Sequence, residues 1–201
     1  MLPQKFDCPP PAYSDISPGI QMLIPLDKLM INHDIEMLSR IPADFKHCNV
    51  IVDMLEEPLY YSQQIPRGSG MWTSFIFDKY GQVAFKISKV FDEVTVSCND
   101  IKIGSVIKKF SLSPNFGIYN SNNKEVLKLK GSFLGMSLEH KLKLETLDGQ
   151  EIGEIKNTCS IDQRTCLTNI NYTATFPENL DVHCKAIILA TMIIWDFDHS
   201  K

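Results

Sequence analysis

Phe176-Pro177-Glu178-Asn179-Leu180-Asp181-Val182-His183-Cys184-Lys185, continuing through Ala186 to Trp195, is the stretch around which the rest of this chain has to be arranged. Ala186–Trp195 carries no charge. As a helix at ~1.5 Å per residue it reaches about 15 Å, half of a ~30 Å hydrocarbon core, so it is too short to span a bilayer alone. Ile187, Ile188, Leu189, Met192, Ile193, Ile194 and Trp195 point in nearly every direction around a helix axis. A helix apolar on all sides is enclosed, either by protein or by lipid. Pro177 marks a start and Asp181 lies near the candidate N-terminus, so a helix is expected over about 180–196.

Upstream the chain reads as strand and turn. Ser74–Asp78 runs into Lys79-Tyr80-Gly81-Gln82 and out through Val83–Ser88, while Glu125–Lys130 alternates polar and apolar residues before Gly131. Lys141–Leu147 alternates likewise, reaches Asp148-Gly149-Gln150 and continues as Glu151–Lys156, the Asp-Gly pair marking a tight hairpin. Period-2 patterns of this kind belong to strands with one face buried and one face wet. Asp100–Ile107 and Gln150–Ile155 share an Ile-Gly core, which suggests two hairpin units built on one pattern.

Composition excludes several functions. A formal charge of −4 and a pI near 5.7 argue against a nucleic-acid binder, which needs a basic surface. Lysines gather locally, at Lys102, Lys108 and Lys109, at Lys124, Lys128 and Lys130, and at Lys141 and Lys143; the plainer reading is of solvent-facing strand positions that guard the sheet. The cysteines Cys8, Cys48, Cys98, Cys159, Cys166 and Cys184 show no C-x-x-C spacing, as suits reduced thiols inside a cell. Met1-Leu2-Pro3-Gln4-Lys5 opens without the apolar core of a signal peptide, so a cytosolic orientation is expected. The histidines are dispersed, and no phosphate-binding glycine loop or nucleophile elbow occurs, so bond-making catalysis is not expected.

The tail block resembles that of the phospholipid scramblase family, Phe-Pro-x-Asp-Leu-Asp-Val-x-x-Lys-Ala followed by an apolar segment ending near Ile-Asp-Phe; here it reads Phe176–Ala186 and then Ile194-Trp195-Asp196-Phe197. Leu26–Ile31, Ile35–Leu38, Ile103–Ile107, Asn115–Asn120 and Val126–Gly131 fall in the family's order, so the resemblance covers roughly residues 20–198. It implies a mostly β fold of the Tubby C-terminal type, a closed twelve-stranded antiparallel barrel around a hydrophobic C-terminal helix. The implied organisation is a Pro-rich arm over 1–19 and a barrel domain over 20–198. The implied activity is ATP-independent, bidirectional, calcium-linked movement of phospholipids across a bilayer at the cytoplasmic face of the plasma membrane. The alternative is a cytosolic adaptor that binds lipid or protein without scrambling.

Set against the family's sites, this chain departs at two. The family's calcium loop has acids at its first, third and last positions, which here are Thr168, Ile170 and Asn179. Thr168, Asn171, Asn179 and Asp181 are the remaining oxygen donors for Ca2+, and so undercharged a set is expected to bind weakly, at ~millimolar levels, or not at all. The family's acylated cysteine run corresponds to Lys89–Val94, which has no cysteine, with only Cys98 nearby. Lipid contact is assigned to the tail helix through Lys185, Ile188, Met192 and Trp195. Pro9-Pro10-Pro11-Ala12-Tyr13 carries the Pro-Pro-x-Tyr pattern read by WW domains, with Pro10, Pro11 and Tyr13 as the contact residues.

Overall fold

The computed structural model describes residues 18–32, 48–68, 71–131, 141–161 and 168–199. A short helix α1 (Pro18–Gln21) precedes β1 (Lys28–Asn32), β2 (Cys48–Val52), β3 (Pro58–Gly68), β4 (Met71–Asp78), β5 (Val83–Val90) and β6 (Glu93–Cys98). There follow β7 (Ile101–Lys108), β8 (Asn115–Asn120), β9 (Glu125–Gly131), β10 (Lys141–Glu145), β11 (Glu151–Ile161), β12 (Thr168–Thr175) and the helix α2 (Val182–His199). Each strand pairs antiparallel with the next, and β12 returns to β1 in the register Lys28↔Thr175 to Ile31↔Tyr172, closing a twelve-stranded barrel with no free edge. The expected fold class is the observed one.

The period-2 pattern does what it implies. Leu127, Leu129, Leu142 and Leu144 are buried, while Lys128, Lys130, Lys141 and Lys143 alternate with them. The wall closes with the help of repeated bulges. Leu59, Ala84, Ile103, Val126 and Ile152 are each the extra residue where β3, β5, β7, β9 and β11 leave a tight turn. A bulge bends its strand and raises the local twist, which curls the sheet. The Ile-Gly repeat thus has a structural meaning: in β7 and β11 the isoleucine is the bulged residue and the glycine follows it.

The turns at this end repeat as well. Asp53, Asp78, Asn120 and Thr146 each donate a backbone N–H to the carbonyl four residues on and accept, at their own carbonyl, the N–H three residues on. The third residue after each is left-handed: Glu56, Gly81, Asn123 and Gly149, with φ of 61°, 79°, 57° and 90°. Leu147, which the alternation places in a strand, belongs to one of these turns, because Thr146 has already begun it.

Inside the barrel sits α2. Every residue from Ala186 to Trp195 is buried, in contact with strands around it rather than with solvent. Gly104 on β7 lets it come close: a Cβ there would lie 2.3 Å from Ile187 Cδ1 and 2.5 Å from the Tyr119 carbonyl oxygen. The helix begins two residues later and ends three residues later than the expected 180–196. Pro177 starts a turn closed by Leu180 N–H, and Asp181 caps the helix by accepting from Cys184 N–H at 3.0 Å. Among the described residues no helix is long and apolar enough to cross a membrane.

Candidate functional site

The end of the barrel where α2 enters is sealed by the chain preceding β1. α1 lies on β5, where Gly19 packs so close that a Cβ would meet Ala84 Cα at 2.4 Å, and Tyr60 Oη donates to Gly19 O at 2.9 Å. Ile20 and Leu23 are fully buried under this strap. Lys185, one turn into α2, fastens it from within. Four carbonyl oxygens lie within hydrogen-bond distance of its Nζ, those of Leu23 (3.1 Å), Ile24 (2.7 Å), Leu26 (2.6 Å) and Glu178 (2.6 Å), so its three N–H groups serve four acceptors with one of them shared, and the Phe176 ring is 5.5 Å away. Burial pushes the ammonium down to about 8, against the opposing pull of Glu178, Asp27 and Asp181. The side chain is fully buried. Lys185 is therefore a latch between plug and strap, a role not legible from its charge alone.

At the other end of α2, Asp196 is buried and accepts from Asn49 Nδ2 at 2.9 Å, and Trp195 stacks at a tilt on Tyr172, ring centres 6.3 Å apart. Burial, then Asp196, raises the Tyr172 hydroxyl to about 12. Asn49 did not stand out in the sequence, whereas Asp196 is the acid of the tail block's Ile-Asp-Phe ending. Nothing in the spacing of the two connects them.

The four tail-helix residues assigned to lipid, Lys185, Ile188, Met192 and Trp195, are all enclosed by the barrel. The calcium donors are not brought together. Thr168 opens β12 and Thr175 ends it, a rise of about 23 Å at ~3.3 Å per residue. Asn179 and Asp181 lie beyond the far end, whereas Ca2+ gathers oxygens at ~2.3–2.6 Å. Asp181 also spends a carboxylate oxygen on the helix cap. These residues do not fit a single calcium ion. Among the described residues no cluster of three or more His, Cys, Asp or Glu suited to a metal occurs.

The lysine-rich face is laced with carboxylates. Lys130 meets Glu145 at 2.6 Å, Lys143 meets Glu151 at 2.7 Å and Lys102 meets Glu93 at 3.3 Å, while Lys141 pairs with Glu154 and Lys109 with Glu125. Cys98 and Cys184 are buried in the core and form no disulfide. Pro10, Pro11 and Tyr13 lie outside the described residues.

A closed barrel plugged by an apolar C-terminal helix and latched through a lysine of the Phe-Pro tail block defines a class, and comparison with known proteins identifies it. The Scramblase family model matches residues 9–200, and the chain belongs to that family. It is similar to Phospholipid scramblase 1 of Rattus norvegicus (24% identical over 215 residues, 94% of this chain and 64% of the relative). It is also similar to Phospholipid scramblase 1 of Mus musculus (23% identical over 215 residues, 94% and 65%). The chain thus spans just under two thirds of the length of these relatives. No solved structure matches it.

Proposed function

We propose that this protein engages phospholipids at a membrane surface and moves them between leaflets in both directions without ATP. The observation that carries this reading is the family match over residues 9–200. The physical demand is severe, because an unpaired polar headgroup in hydrocarbon costs several kcal/mol. The barrel interior offers no polar route, being filled by Ala186–Trp195. Lipid passage therefore runs along the outside of the barrel, through bilayer thinned by it, or requires α2 to leave. Calcium is given no step, since Thr168, Asn171, Asn179 and Asp181 do not fit one ion. The proposed place of work is the cytoplasmic face of the plasma membrane, and Pro10, Pro11 and Tyr13 are proposed to recruit WW-domain proteins.

The enclosed helix favours a second reading, a lipid- or protein-binding module of the cytosol with no transbilayer activity. Reconstitution into vesicles carrying a labelled phospholipid in both leaflets separates the two. Faster loss of inner-leaflet label to a membrane-impermeant quencher supports scrambling; no acceleration with or without calcium leaves the binding module. Tyr13→Ala should abolish capture by WW domains, and undiminished capture would remove that partner.

A further inference from the structure

The end of the barrel opposite the strap holds a cavity of about 460 Å³ behind the β5–β6 and β7–β8 turns. That volume is in the ~300–1,000 Å³ range of small-molecule sites. Its walls include Val94, Val106, Phe116 and Leu142 from the barrel and Ile194 and Trp195 from α2. Thr191 also lines it, but its hydroxyl is spent on the Ile187 carbonyl at 2.9 Å, so the helix side offers an occupant little polar chemistry. Polar groups lie toward solvent: Lys89 and Lys108 with Asp92, Ser111 and Ser113, two cations against one anion.

The turns at its outer edge carry exposed apolar residues. Phe91, Phe110 and Leu112 are 73%, 111% and 98% exposed. Phe91 also has φ 55°, a left-handed conformation rare for a bulky residue and costing ~1–2 kcal/mol. No burial of its ring offsets that cost. An apolar interior, a cationic rim and an apolar threshold match one kind of molecule, an aliphatic chain with a negative head.

We propose that this cavity binds one acyl chain of an anionic amphiphile, the chain lying along Val106, Leu142 and Trp195 and the head between Lys89 and Lys108. Phe91, Phe110 and Leu112 form the threshold that the chain crosses. The inference rests on the phospholipid reading only in naming a membrane lipid as one source of the chain; a free fatty acid presents the same chemistry.

Trp195 lies in the wall and reports occupancy directly. In a Trp72→Phe background its emission is followed while a brominated long-chain fatty acid is added, and separately vesicles of anionic phospholipid with brominated chains. Saturable quenching is expected, with Lys108→Glu weakening fatty-acid binding at least tenfold and Lys79→Glu, on a turn at the other end, leaving it unchanged. Quenching by fatty acid alone identifies a free amphiphile as occupant, and quenching by vesicles as well identifies a membrane lipid; both uphold the site. If Trp72→Phe does not fold, the unmodified protein is compared with Trp195→Phe, which should lose the saturable component. Unquenched Trp195 in both arms, or equal binding by the two lysine variants, overturns the inference. Saturable quenching without lipid scrambling would instead remove the transbilayer reading and leave this site standing.

Discussion

The two ends of the barrel are built on opposite terms. At the strap end, Asp53, Asp78, Asn120 and Thr146 open turns of one design, the first three each accepting two backbone N–H groups on Oδ1, and Lys185 satisfies four carbonyls from inside. At the cavity end, Phe91 sits strained and bare, and Phe110 and Leu112 project into solvent. Both ends expose apolar side chains, Leu55, Tyr80 and Ile101 at the first and Phe91, Phe110 and Leu112 at the second. The first surrounds them with turns of one repeated hydrogen-bonded design, and the second sets them beside a cavity.

The largest test of this contrast is Lys185→Met. It leaves the carbonyls of Leu23, Ile24, Leu26 and Glu178 without their donor, and a loss of about 3 kcal/mol in urea unfolding is expected. A loss within the error of the fit would show that the strap is not fastened by this residue. Gly104→Val drives a side chain into Ile187 and the Tyr119 carbonyl and should cost about 2–3 kcal/mol by the same measurement. Wild-type behaviour would place the helix farther from β7 than the structure has it.

A pH profile sharpens the latch. Lys185 titrates at about 8 in the folded protein and at 10.5 ordinarily, so between those values the unfolded chain holds more protons and stability rises with pH. Below 8 both states are protonated and the penalty is constant. Tyr60 and Tyr172, both raised by burial, act in the other direction once pH passes 10.0, because there the unfolded chain loses their protons first. Subtracting the Lys185→Met profile isolates the lysine; a difference that stays flat from 8 upward contradicts the assignment.

Smaller effects distinguish the turns. Gly81→Ala, at φ 79° with open space around the new methyl, should cost about 1 kcal/mol through backbone strain alone. Phe91→Gly should act in the reverse sense, raising stability by about 0.5 kcal/mol because relief of strain exceeds the entropy glycine adds to the unfolded chain. If both changes destabilise equally, the two ends do not differ in the way described.

Much of the barrel was legible from the sequence because alternation and turn chemistry are local. Glu125–Lys130 and the strands around Asp148-Gly149 emerge where their pattern puts them. The all-round apolar character of Ala186–Trp195 required an enclosure, and the barrel supplies it. Strand number and closure were not in that pattern, since β1 meets β12 across almost the whole chain; they came with the family resemblance. The site was less legible still. Lys185 reads as a charged residue preceding a greasy run, and its four carbonyl partners are separated from it in sequence or hidden in irregular backbone. The cavity collects Lys89, Lys108, Leu142 and Trp195 from elements that no spacing rule connects. Oxygen donors adjacent on paper, by contrast, were pulled apart by the extended geometry of β12.

Because α2 follows all twelve strands in the chain, the wall is synthesised before the segment that fills it. During translation the inward-facing leucines and isoleucines leave the ribosome with nothing to pack on until α2 follows them. The nascent wall therefore keeps its apolar lining uncovered until Lys185 reaches the strap.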